Sequence, residues 1–80
     1  MEAELLKRIT IVPGLMGGRP TIRGIRFQVA DVLGYLAAGM SEKELLKNFP
    51  FLEHDDILAS LLYASKKINH PVIRIENYAN

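Results

Sequence analysis

Few side chains in this 80-residue sequence have types and spacing suited to chemistry. The histidines are His54 and His70. His54 is followed by Asp55 and Asp56, but neighbouring residues on a helix point to different sides, and zinc needs three or four convergent ligands. Gly14, Gly17 and Gly18 lack the spacing of a phosphate-cradling loop, and no Gly-Lys-Ser/Thr follows them. Ser41 has a structural role, described below. With no cysteine there is no thiolate nucleophile, disulfide or thiolate metal site. The expectation is a protein with no catalytic residues, no cofactor and no metal. What remains is the recognition chemistry of arginine, in Arg19, Arg23 and Arg26.

Those arginines belong to a charge pattern hidden by the net charge of +1. Residues 1–30 carry five basic and two acidic side chains, a net +3. Residues 31–60 carry two basic and six acidic, a net −4, and residues 61–80 three basic and one acidic, a net +2. A basic end beside an acidic middle suits a nucleic-acid footprint, contact between subunits or ordinary solvated surface. Arg19, Arg23 and Arg26 are candidate nucleic-acid contacts, on a patch that a dimer would double. Alternatively they pair with the acidic middle, for example Asp31 or Glu44, and fix the local fold.

The elements that must position these groups are short. Arg8–Val12 is rich in β-branched residues and stops at Pro13-Gly14, which predicts a strand. Pro20–Phe27 is two alternating runs around Arg23-Gly24, the form of a hairpin with a two-residue loop. Two strands alone are marginal in water, so the hairpin must pack on helices or pair with the first strand.

Helical spacing begins at Val29, with Val32, Leu33, Leu36 and Ala37 on one stripe and Gly39 placed for a left-handed stop. Ser41 and Glu44 form a capping box opening a second helix, which runs through Leu45, Leu46 and Phe49 to Pro50. A third helix is expected from Glu53–Asp55 to Ile68, with Asp55 and Asp56 at the positive end of its dipole. Val72–Ile75 reads as a short extended segment. The division is therefore a single domain over 1–80, with a β and turn region at 8–28, a three-helix core at 29–68 and a tail at 69–80. The fold class is mainly α.

A chain this short has a marginal core, and 49% hydrophobic residues exceed what that core needs. An apolar surface shared with a partner is expected, most simply in a homodimer. The candidate residues are Leu58, Leu62 and Tyr63 on the third helix, with the monomer's own core as the alternative place for them, and Val72, Ile73 and Ile75 in the tail, whose alternatives are to fold back on the domain or to fray. The start shows neither a secretory signal nor a membrane span, which makes the cytoplasm the expected compartment.

One block stands out: Gly18-Arg19-Pro20-Thr21-Ile22-Arg23-Gly24-Ile25-Arg26-Phe27-Gln28-Val29. With Leu36-Ala37-Ala38-Gly39-Met40-Ser41 and Phe49-Pro50-Phe51-Leu52 downstream, it resembles the domain-of-unknown-function 433 family over residues 8–66. Ile25 and Glu53 stand where that family usually has Thr. Glu is the weaker N-cap, so a less crisp start to the third helix is expected. The resemblance implies a trihelical, homeodomain-like helix-turn-helix domain preceded by β structure. It also implies an antitoxin-like role in a type II pair with a PIN-like toxin, with binding to the pair's promoter as a second activity.

Within such a domain the start of the third helix would enter the major groove. Here that start is Glu53-His54-Asp55-Asp56, which sets carboxylates against the phosphate field. Protein binding is therefore the favoured reading over DNA recognition by this helix. A structural dimerisation or adaptor module and a stand-alone transcriptional regulator are the alternatives.

Overall fold

The structure is a computed structural model and describes residues 1–69. It is mainly helical. Among the described residues there are four helices, α1 (Glu2–Leu6), α2 (Val29–Ala37), α3 (Glu42–Asn48) and α4 (His54–Ile68), with a two-stranded antiparallel sheet of β1 (Ile9–Thr10) and β2 (Thr21–Ile22). A 3₁₀ turn at Met16–Gly18 lies in the loop between the strands.

Helix α1 departs from the sequence reading, which began with the strand at Arg8. Its five residues include good helix formers, with Glu2 and Glu4 in the first turn where the dipole favours acid. So short a helix is unstable alone. It persists by packing on α4, joined at its start by an ion pair of Glu2 with Lys66 at 3.0 Å.

The strands pair with Ile9 opposite Ile22 and Thr10 opposite Thr21, so the first strand is the hairpin's partner. It is also shorter than expected, since Ile11 and Val12 lie exposed beyond it. The turn at Arg23-Gly24 forms as read: φ is +46° and +71° at its two residues, and the Ile25 amide donates to the Ile22 carbonyl at 2.7 Å. These are the positive angles of a primed hairpin turn. The hairpin's second arm does not become a strand. The Phe27 amide folds back onto the Ile25 carbonyl at 2.7 Å, a three-residue turn that breaks the ladder. A single bridge, Thr21 to Gln28, is left of it.

The helix signals are realised in detail. Gly39 (φ +99°) ends α2, its amide donating to Leu36 O while that of Met40 donates to Tyr35 O, the paired bonds of a Schellman stop. At α3, the Ser41 hydroxyl accepts from the Glu44 amide at 3.1 Å, and Glu44 Oε1 accepts from the Ser41 amide at 2.8 Å. Helix α4 starts more firmly than the Glu53 cap suggested, because Asp56 Oδ2 accepts the Glu53 amide at 2.8 Å.

The core lies where α2, α3 and α4 meet the sheet. Ile22, Phe27, Val29, Val32, Leu45, Leu52 and Ile57 are buried together, with Leu33, Leu36, Phe49 and Tyr63 packed around them. Phe27, Tyr35, Phe49 and Phe51 form one aromatic cluster, with Phe27–Phe49 centroids at 4.9 Å and Tyr35–Phe49 at 5.0 Å. Among the described residues, no helix is long and apolar enough to cross a membrane.

Candidate functional site

The polar centre of the molecule is Asp56, whose side chain has no exposed surface. Three elements converge on it. Arg23, at the tip of the turn after β2, donates from Nε to Oδ1 at 3.0 Å and from Nη2 to Oδ2 at 2.8 Å. Arg8, between α1 and β1, donates from Nη1 to Oδ1 at 3.0 Å. The Glu53 amide supplies the remaining bond. Arg23 Nη2 also donates to the Phe51 carbonyl at 2.6 Å, and Arg8 Nη1 to Glu53 Oε1 at 2.7 Å. Burial pushes the Asp56 carboxyl up, but the bonds from Arg23, the Glu53 amide and Arg8 outweigh it and hold it below the usual carboxylate range. Hydrogen bonds to Glu53 and Asp56 raise Arg8 in turn, and the bond to Asp56 raises Arg23.

Local structure aims Arg23 at this point. Its positive φ is uncommon for a residue with a side chain, and neighbours hold it there. The Arg23 amide donates to the Arg8 carbonyl at 2.7 Å, and the Gly24 amide to Thr10 Oγ1 at 2.8 Å. Thr10 Oγ1 is also 2.9 Å from the buried hydroxyl of Thr21. Arg23 is therefore a clasp within the domain, as the second reading of the arginines held, though its partner is Asp56. The carboxylates proposed for that role are engaged locally: Asp31 accepts the Gln28 amide, and Glu44 the Ser41 amide.

Arg19 and Arg26 are exposed, and the structure does not gather the three arginines into one patch. Arg23 meets the first turn of α4, whereas Arg19 lines a cleft with Tyr63, Ala64, Lys67 and Ile68 of its last turns. From Asp56 to Lys67 is about 16 Å along the helix.

That cleft, of about 320 Å³, runs between α2 and the end of α4. Val29, Ala30, Leu33, Tyr63, Ala64 and Ile68 give it an apolar lining, and Arg19 and Lys67 place cations beside it. The Lys67 ammonium sits 5.7 Å from the centre of the Tyr63 ring. A second cleft, of about 350 Å³, lies between α1 and α4 and is lined by Met1, Glu4, Leu5, Arg8, Asp55 and Leu58.

The apolar candidates on α4 thus divide between two sides. Leu58 is partly exposed at the second cleft, Leu62 is half-buried, and Tyr63 packs on the core while lining the first cleft. Five residues on a helix turn through about 140° net, which separates Leu58 from Tyr63. Val72, Ile73 and Ile75 lie outside the described residues. The sequence reading missed Leu61 and Ile68 as surface residues, at 45% and 69% exposure. Their signal was present in the spacing of 58, 61, 65 and 68. It also missed Arg8, which no local pattern links to residue 56. His54 at the start of α4 pairs with Glu42 of α3, whose hydrogen bond raises the imidazole pKa.

A family model described as a protein of unknown function (DUF433) matches residues 9–64. An uncharacterized protein, y4eO, from Sinorhizobium fredii is 38% identical over 56 residues, which are 70% of this chain and 25% of that protein. The chain thus spans about a quarter of the curated relative it matches. The crystal structure of a DUF433 member from Anabaena variabilis superposes with a TM-score of 0.72 at 36% identity, over 80% of this chain and 63% of that one.

Proposed function

The chain belongs to the DUF433 family, and from that premise we propose that it is a protein-binding module with an antitoxin-like role, neutralising a PIN-like toxin by direct contact. The observation that carries the binding reading is the cleft between α2 and α4, apolar in its lining and cationic at Arg19 and Lys67. Such a surface fits an apolar segment of a partner with acidic residues beside it, where burial supplies affinity and charge supplies orientation. The antitoxin role itself rests on the family resemblance.

In this reading α2, α3 and α4 form a trihelical, homeodomain-like unit, with α3 and α4 as its helix-turn-helix. The first turn of α4 would then be the end presented to DNA. It carries Glu53, Asp55 and Asp56, and the nearest arginines, Arg8 and Arg23, are bonded to those carboxylates. That arrangement favours a protein partner over promoter recognition by this helix. Of the three candidate arginines, Arg19 and Arg26 are left for DNA autoregulation. The reading assigns no catalytic step to the chain.

The adaptor reading gains support from the length of the curated relative, since the matched unit makes up only 25% of it. The test is co-purification of the tagged chain with the product of the adjacent reading frame, together with a toxicity assay of that product alone. A complex that relieves toxicity, and that the cleft substitution Ala30→Glu weakens by about tenfold or more, is expected. Ala30 is exposed, so this substitution leaves the fold intact. Failure to bind a demonstrably toxic neighbour would reject the antitoxin role for that pair. Undiminished binding by the variant would move the contact elsewhere.

A further inference from the structure

The solvent side of α4 carries a spacing that the core does not use and that meets the α2–α4 cleft only at Ile68. His54, Leu58, Leu61, Ser65 and Ile68 recur at intervals of four, three, four and three, the repeat that keeps one seam of a helix facing another. All five are exposed, with Leu58 at 37%, Leu61 at 45% and Ile68 at 69%. The buried residues Asp56, Ile57, Ala59 and Ser60 leave this seam facing outward. We propose that the seam is a dimerisation surface that pairs antiparallel with α4 of a second copy, about a two-fold axis between Leu58 and Leu61.

Self-complementarity chooses the occupant and the direction. With the axis there, Leu58 meets the partner's Leu61, and His54, keeping its bond to Glu42 of its own chain, meets the partner's Ser65, apolar on apolar and polar on polar. A two-fold interface requires each contact to be made twice in this way. The second cleft, beside Leu58, offers a hole for a side chain of the facing helix. Charge favours the same direction. The helix opens with Glu53 and Asp55 and closes with Lys66 and Lys67. Parallel pairing would stack like on like, whereas antiparallel pairing sets the acidic end beside the basic one. Glu53 and Asp55 are already paired with Arg8, at 2.7 and 3.7 Å, and Lys66 with Glu2 at 3.0 Å; all three lie about 100° or more around the helix from the seam, so this charge pattern only orients the pair.

Size sets the expected strength. A standard interface takes about 800 Å² from each partner, and one fifteen-residue helix face supplies less. The dimer is therefore a reversible one, in exchange with monomer. The proposal does not rest on the toxin reading: its central pair, Leu58 and Leu61, lies away from the α2–α4 cleft, which the seam meets only at Ile68.

Sedimentation of the full chain over a concentration series up to millimolar tests it. A monomer–dimer equilibrium is expected, weakened about tenfold or more by Leu61→Glu with the low-concentration melting curve unchanged. Because the chain has no cysteine, direction is read by oxidation of single variants. A mixture of Leu58→Cys and Leu61→Cys forms a linked heterodimer, while Ile68→Cys does not link to itself. Two copies of residue 68 lie about 25 Å apart in the antiparallel pair, and a disulfide needs Cα atoms within about 7 Å. A monomer at every concentration, a dimer indifferent to Leu61→Glu, or self-linked Ile68→Cys would each overturn the proposal.

Discussion

At Asp56, one buried carboxylate gathers donors from three parts of the chain. Asp56 accepts four hydrogen bonds to its side chain from Arg8, Arg23 and Glu53, apart from a longer second contact of Arg23. Removing the charge leaves two guanidinium groups facing an uncharged site. Asp56→Asn is expected to lower stability at neutral pH by about 3 kcal/mol, measured by urea unfolding. The sign with pH follows from the lowered pKa. The contribution is fully present above the unfolded value, about 4, and is lost as pH falls through the folded one. The gap between wild type and Asp56→Asn should therefore narrow on acidification, and a gap constant with pH would refute the assignment. None of this geometry was legible in the sequence, where Asp56 read as an ordinary acidic residue in a helix's first turn. Its arginines are 33 and 48 residues away, and local pattern carries no information at that range.

At the scale of elements, legibility tracked how local the determining bonds are. The Ser41–Glu44 box and the Gly39 stop involve residues three to five apart, and both formed as read. The turn at Arg23-Gly24 was legible for the same reason. Pairing with the first strand was one of the two partners read for the hairpin, and β1 is that partner; the break of the far arm at Ile25–Phe27 was not legible. Helix α1 was illegible because five residues give no periodicity to detect and their stability comes from α4. The Gly39 stop gives a direct test. Ala at φ +99° carries the left-handed penalty, so Gly39→Ala should cost about 1–2 kcal/mol in thermal or urea unfolding. No neighbour lies within 4 Å of the added carbon, so the cost is one of backbone conformation alone.

For the molecule as a whole, the charge pattern visible in the sequence has a specific outcome. Two of the five cations in residues 1–30 are turned onto the acidic start of α4, which lowers the basic potential available to a polyanion. DNA binding by the chain should accordingly be weak and insensitive to base sequence, with a shallow salt slope of about −2 from two phosphate contacts. Arg19→Ala with Arg26→Ala should remove most of what there is. Fluorescence anisotropy with unrelated duplexes at two salt concentrations checks this, and tight, sequence-selective binding that survives the double substitution would contradict it. The candidate site was half legible at this scale. Arg19 and Tyr63 were singled out, but their meeting in one cleft depends on how α2 crosses α4, which spacing does not encode.

The reach of the Asp56 clasp also bears on the order of events in folding. A bond between residues 8 and 56 closes a long loop, whereas α3 and α4 are joined by a few residues, so the helical pair can form while the clasp is still open. Interactions absent from the transition state act on the rate of escape from the native state, with little effect on the rate of reaching it. Arg8→Ala should then steepen nothing in the refolding arm of a chevron plot while raising the unfolding arm. The clasp is in that sense a kinetic lock, fastened late and setting how long each native molecule lasts.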